Sequence, residues 1–352
     1  MNLTLFPDGV ENPANLARIG DAARLLGIGC GPTIIGRLIA VENAPGAADI
    51  YGRRPLRGEA TLAVGNERRG LSAATMARAD EVVQIPTLSR TVNTLNVAAA
   101  AAVAGWYVRR GSGPQAQTAR PETRRPALLI VGCDHVEVGS SLRSAAAFGF
   151  RDVLLEDRGA GWFDGPSSVR REARAAARRH KNPLRVHRAT LDHAARFEDV
   201  VLVTPSGPGT ALHRERLTRG PSQLIVVGAH PDDLPPDVAD RARIATLGLE
   251  SVGSAPLRPI GALGAESAAP RLIGGQGWEA VGSVGSVESV PLRLIASILL
   301  AEISRQVGRS RPSLGREARS VREPRRPRYG KAVHPLPPDA SLLVDLDSLL
   351  DF

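Results

Sequence analysis

Short apolar runs alternate with longer stretches of helical periodicity twice along the chain. In residues 1–110 the runs LTLF (3–6), TIIG (33–36) and TLAVG (61–65) predict strands. In residues 126–307 the runs ALLIVG (127–132), DVLLE (152–156), VVLVT (200–204) and QLIVVG (223–228) do the same. These runs are continuous rather than alternating, the pattern of parallel strands buried on both faces. Between them, NLARIGDAARLLGIG (15–29) and EVGSSLRSAAAFGFR (137–151) carry an apolar helix face and then a Gly. Each block closes on a helix of small residues, NVAAAAAVAGWYVRR (96–110) and PLRLIASILLAEISRQ (291–306). Strand and helix in alternation mark the α/β class with parallel sheets.

The two blocks read as diverged copies of one domain. VNTLNVAAAAAV (92–103) and VESVPLRLIASI (287–298) stand at equivalent places near their ends. The interval from Asn15 to Asn66 is shorter than that from Glu137 to Ala229, so a strand-helix unit is expected to be missing from the first block. Residues 111–125, within the Pro- and Arg-rich stretch RRGSGPQAQTARPETRRP, read as a linker. Residues 308–352 read as a disordered basic tail ending in SLLVDLDSLLDF, either an inert end or an acidic, apolar docking peptide. The Gly/Ser/Pro-rich span from Ser251 to Ser286 reads as a flexible loop or as a lid over a site.

Composition adds limits. A chain of 352 residues has room for two domains. It holds no apolar run of about 18 residues, so no membrane span is expected. Its first residues lack a basic, then apolar, leader pattern, which makes cytoplasm the default compartment. Cys30 and Cys133 have no metal or redox spacing, nor do His180, His187 and His193, and no metal is expected. The net charge of +9 invites an RNA partner or describes a solvated basic surface. Only Lys181 and Lys331 are lysines, and this Arg bias beside abundant Ala and Gly is also what a GC-rich genome produces. Arg170, Arg171, Arg174, Arg178 and Arg179 fall in a basic helix that either tracks an RNA backbone or is solvated surface.

The chemistry concentrates between Gly65 and Val97, GNERRGLSAATMARADEVVQIPTLSRTVNTLNV. Two glycines, an Asn-Glu pair, an Ile-Pro and a Leu-Asn sit at loops where a core would not require them. Gly65 and Gly70 permit positive φ and close backbone approach. Pro86 holds Ile85 extended. Asn96 enters the Ala-rich helix as an N-cap, and a helix N-terminus also offers free donors.

These residues resemble the TrmH/SpoU branch of the SPOUT superfamily, RNA ribose 2′-O-methyltransferases. Gly65-Asn66-Glu67 and Gly70-Leu71 match the second motif of that family. Ile85-Pro86 and Thr94-Leu95-Asn96 match the third, with Thr for Ser and one extra residue between. The resemblance implies Rossmann-like domains knotted as a trefoil, S-adenosyl-L-methionine (SAM) as cofactor, and tRNA or rRNA as substrate. It implies a cofactor site made by Gly65, Asn66, Glu67, Gly70, Ile85, Pro86, Thr94, Leu95 and Asn96.

The first motif is divided between the blocks. The first block begins it with Asn12-Pro13-Ala14-Asn15-Leu16, but Ala17 replaces the family Gly and Asp21 its catalytic Arg. The second keeps Gly139, Arg143-Ser144-Ala145 and Phe148-Gly149, with Glu137 in place of the Asn. Its second motif has decayed to Gly228-Ala229-His230-Pro231-Asp232-Asp233-Leu234, and Pro291 replaces the Asn of its third. The complementary losses lead to an expected internal pseudo-dimer with one composite site, further dimerisation being left open. The first block would supply the SAM pocket with Glu67 and Asn96; the second would supply Arg143 to hold RNA phosphate and a developing oxyanion. Asn15 reads as a substrate-orienting residue or a helix cap, Glu67 as a site residue or a loop ion-pair partner, and Arg143 alternatively as an interface salt bridge. Two other functions fit: a degenerate protein that binds RNA or SAM without catalysis, and a methyltransferase acting on a protein or small molecule.

Overall fold

The structure, a computed structural model, describes residues 2–52, 54–89, 91–92, 94–111, 125–178, 182–249 and 291–307. The linker between the blocks, the span 251–286, Val287-Glu288-Ser289 and the tail all lie outside the described residues, apart from Gly111 and Arg125 at the linker's ends.

Two sheets, each parallel throughout, carry the chain. The first contains β1 (Asn2–Asp8), β2 (Gly29–Cys30), β3 (Arg37–Val41), β4 (Ala48–Asp49), β5 (Glu59–Gly65) and β6 (Glu81–Gln84), in the order β2-β1-β5-β3-β6-β4. The second contains β7 (Ala127–Gly132), β8 (Asp152–Asp157), β9 (Arg185–Arg188), β10 (Asp199–Thr204), β11 (Thr210–Ala211), β12 (Gln223–Val227) and β13 (Arg243–Thr246), in the order β11-β13-β10-β12-β7-β8-β9. The continuous apolar runs behave as two-sided burial requires: Ala60 to Val64 of β5 and all of β12 are buried.

Matched in chain order, the two sheets have the same topology. β1 and β2 correspond to β7 and β8, and β3 to β6 correspond to β10 to β13. The helices follow: α1 (Pro13–Leu26) with α4 (His135–Ala147), α2 (Ala73–Arg78) with α6 (Pro236–Ala239), and α3 (Val97–Arg110) with α7 (Leu292–Val307). Helix α5 (Ser167–Ala176) and strand β9 have no counterpart in the first half. This unit occupies the longer interval noted between Glu137 and Ala229.

One expected strand is absent. TIIG is loop: Ile35 is 45 % exposed, and its backbone is held from the side by Thr61, whose Oγ1 accepts from Ile35 N at 2.7 Å and donates to Ile35 O at 2.8 Å. With both of its main-chain groups so engaged, Ile35 joins no ladder; the strand is the next five residues, where Leu38, Ile39 and Ala40 are buried. The edge strands β2, β4 and β11 span two residues each, too short for any periodicity to mark them.

The halves share one core. A single apolar cluster runs from Leu3 and Leu62 through Trp106 and Tyr107 to Leu142, Ile298 and Ile303. Helices α3 and α7 pack on each other at its centre, and the small residues of both allow close approach. Their contact includes a buried polar cluster. Tyr107 Oη donates to Glu302 Oε2 at 2.7 Å, and Arg305 Nε donates to the same oxygen at 2.9 Å. Burial, reinforced by the Glu302 carboxylate, drives the Tyr107 phenol well above its ordinary pKa. No described helix is long and apolar enough to cross a membrane.

Candidate active site between the two halves

Strand β5 lies between β1 and β3, where the chain has turned from one side of the sheet to the other. Open α/β sheets bind ligands outside the carboxyl ends of strands at such a switch. The residues that follow β5 form a tight turn. Asn66 N donates to Gly70 O at 3.0 Å and Gly70 N returns a bond to Asn66 O at 2.8 Å. Asn66 Nδ2 donates to Gly9 O at 2.9 Å and its Oδ1 accepts from Arg68 N at 2.9 Å. Gly70 has φ +71°, and a Cβ on Gly65 would stand 2.2 Å from the Gly70 carbonyl carbon. The close approach that Gly65 permits is therefore to its own loop. The turn aims Glu67 outward, where Asn15 Nδ2 of α1 donates to Glu67 Oε1.

Asn15 is buried, 8 % exposed, and does not cap its helix. The cap is Asn12, whose side chain accepts from Ala14 N at 2.9 Å ahead of Pro13. Of the two roles open to Asn15, capping is thus removed. Asn96 does cap α3, accepting from Ala98 N at 2.9 Å. Ile85 and Leu95 pack half-buried against the shared core. The loop after Pro86 leans on the second half: Leu88 N and Ser89 N donate to Ala147 O at 2.9 and 3.2 Å.

Arg143 of α4 reaches the same place from the other half. Its Nε donates to Thr94 O at 3.0 Å, and its Nη2 donates to Thr94 Oγ1 at 3.1 Å and Leu95 O at 2.8 Å. It makes no ion pair among the described residues, so the interface salt bridge is not its role there. Burial, together with the nearby Arg178 cation, lowers its pKa to about 10, and Glu67 opposes this. Arg178 Nη1 donates to Thr94 Oγ1 at 3.0 Å. Asn15, Glu67, Thr94, Leu95 and Arg143 are thus brought together across the halves.

The equivalent place in the second half is filled by ions. Arg293, at the start of α7, pairs through Nη2 with Asp21 Oδ2 at 2.6 Å and through Nη1 with the Glu137 carboxylate. Its backbone N also donates to Glu137 Oε2 at 2.9 Å. Burial lowers the pKa of this guanidinium, which is 4 % exposed, and Asp21 holds it up. Asp21 and Glu137 stand where the resemblance expects Arg and Asn, and each is answered by Arg293. Sequence reasoning passed over Arg293; two acids at the motif-one positions, with an Arg just after Pro291, were the available signal. Asp233 of the decayed loop accepts from Arg158 Nη1 at 3.0 Å and His230 N at 2.9 Å. A cavity of about 460 Å³ lies elsewhere, at the amino ends of β7 and β8, lined by Arg125, Phe150, Arg151, His193 and Phe197 among others.

Residues 36–106 match the sequence model of the SpoU rRNA Methylase family. That stretch holds β3, both loops of the candidate site and most of α3. Within the first half, residues 36–106 are therefore similar to SpoU-family methylases. Among solved structures the chain is similar to an rRNA methyltransferase from Sinorhizobium meliloti, at 14% identity over 87% of this chain and 98% of that one, TM-score 0.33. It is similar to the SpoU methyltransferase AviRb from Streptomyces viridochromogenes, solved with AdoMet, at 15% identity over 83% and 88%, TM-score 0.32. A TrmH/SpoU tRNA modifying enzyme from A. aeolicus is 11% identical over 53% and 78%, TM-score 0.32. No curated protein matches the chain.

Proposed function

We propose that the chain is a SAM-dependent RNA ribose 2′-O-methyltransferase with one composite site, acting on tRNA or rRNA. Its two halves are read as tandem SPOUT domains, knotted as the resemblance implies, that fold together as an internal pseudo-dimer. The observation that carries the reading is the reach of Arg143 from α4 into the loop Thr94-Leu95 of the other half.

The donor set suits SAM. Half-buried Ile85, Pro86 and Leu95 offer apolar surface to an adenine ring, the loop main chain offers N–H and C=O groups, and Glu67 is an anion beside a cationic cofactor. When bound, SAM supplies an electrophilic methyl group. The chain's own part is alignment and charge. Asn15 fixes Glu67, and Arg143 holds the substrate phosphate and stabilises the ribose oxygen as its proton passes to solvent water. At a pKa of about 10, roughly one Arg143 in a thousand is neutral at pH 7, so its role is that of a cation.

The binding-only reading has one observation on its side: the hydrogen bonds of Arg143 all go to the protein. Calorimetric titration with SAM tests the proposal. One SAM per chain is expected, lost in Gly65→Ala, whose side chain the turn cannot hold. No binding, or two per chain, would overturn the single-site reading. SAM binding without methyl transfer to any tRNA or rRNA transcript would favour the degenerate protein.

A further inference from the structure

Resting on that reading, we propose that Arg178 is a phosphate-gripping residue of the RNA site, at the end of a guanidinium track that Arg170 and Arg174 begin along α5. Arg170 and Arg174 are one turn apart on one helix face, about 6 Å along the axis. The acid of this helix, Glu172, is turned about 200° from Arg170 and bonds His135 Nε2 at 3.0 Å. Two residues beyond the helix, Arg178 takes φ +51°, the single non-glycine positive φ among the described residues. Such a conformation costs an L-residue about 1 kcal/mol or more and is kept where the surroundings impose it.

Arg178 directly follows the C-cap Ala177, where a left-handed residue commonly closes a helix, and its N donates to Ala175 O at 3.0 Å. A Cβ on Gly139 of α4 would stand 2.3 Å from Ala173 O, so the glycine lets α5 lie directly on α4. Arg143 is one turn beyond Gly139 on the same face, and the end of α5 delivers Arg178 beside it. Both guanidinium groups donate to one atom, Thr94 Oγ1, at 3.1 and 3.0 Å. Neither makes an ion pair among the described residues. Two cations converging on a neutral hydroxyl repel each other, and a bound phosphate relieves that repulsion through charge-assisted bonds to both. The α5–β9 unit that carries the track has no counterpart in the SAM-binding half. The two halves thereby divide the work, one holding the methyl donor and the other the acceptor's backbone.

The experiment uses the full chain and a fluorescein-labelled, unmodified single-stranded RNA of mixed sequence, titrated from low to moderate salt. Each phosphate contact on a single strand contributes about 0.7 to the slope of log K against log salt. Arg178→Gln and, separately, Arg174→Gln are each expected to lower the slope by about that amount and weaken RNA binding several-fold, with SAM affinity unchanged by calorimetry. Arg178→Lys is expected to restore the slope, and Thr94→Val to leave it intact, because the hydroxyl carries no charge to the RNA. Unchanged slopes in both Gln variants would overturn the track while leaving the methyltransferase reading standing. If the wild type fails to bind SAM yet keeps the slope differences, the proposed function falls and the track remains.

Discussion

The motif-one positions of the two halves hold the same pair of places with opposite contents. In one pair, Arg143 faces a loop of neutral carbonyls and a hydroxyl, with Asn15 and Glu67 close by. In the other, Asp21 faces Arg293, and Glu137 has replaced the amide. The first pair leaves Arg143, 8 % exposed, with neutral partners and no ion pair among the described residues. The second turns its charges on one another and closes. These ions form a joint: buried Arg293 of α7 holds the half-buried Asp21 of α1 and Glu137 of α4.

The largest effect that would break this contrast is catalytic. Arg143→Ala is expected to reduce methyl transfer by about 10²–10³-fold while SAM affinity stays within a few-fold, as single-turnover rates and calorimetry would read. Loss of SAM binding instead would make Arg143 a brace for the loop and nothing more. Next comes stability. Arg293→Ala leaves Glu137 unanswered and Asp21 with Arg24 alone, and removal of one partner from a buried ion cluster costs about 3–5 kcal/mol. The carboxylates keep some exposure, so about 2–3 kcal/mol is expected in urea denaturation. The converse exchange, Asp21→Arg, sets like charges together and should also destabilise rather than create a second site; a second SAM bound there would undo the comparison.

The pH dependence sharpens the role of the surviving arginine. If the cation acts, the methylation rate is level below pH 10 and declines as Arg143 loses its proton near its pKa of about 10. If the neutral form acted as base, the rate would climb tenfold per pH unit up to that value. A rate profile from pH 7 to 10.5 separates the two. Smallest of all, Thr94→Val removes one acceptor shared by Arg143 and Arg178; a several-fold loss in rate is expected, because Arg143 keeps its bonds to the Thr94 and Leu95 carbonyls.

Much of the site was legible because its loops are local. Asn66 and Gly70 close their turn within five residues, and Asn96 caps the helix it precedes, so spacing and residue type suffice. The strands at the sheet centres were legible for a related reason, since burial on both faces writes an unbroken apolar run. TIIG imitated that signature and failed, because what decides its conformation is Thr61, on a strand 26 residues away. Asn15 could not be separated from Asn12 as the cap by pattern alone, since both precede apolar helix positions; backbone geometry chose Asn12.

By itself the sequence determined two α/β blocks of common pattern and, in the first, loops that resemble those of SpoU methylases. Only the tertiary structure decided that Arg143 meets Thr94 and Leu95, that Arg293 answers Asp21 and Glu137, and that α5 ends beside the site. These are contacts between residues 48 to 272 positions apart. Their formation depends on how α3 and α7 pack through the shared core, and on the close approach of α5 to α4 at Gly139. A charge in a sequence has no partner until packing supplies one, and the same Asp or Arg is a lost catalytic residue or half of a joint according to what the fold sets opposite it.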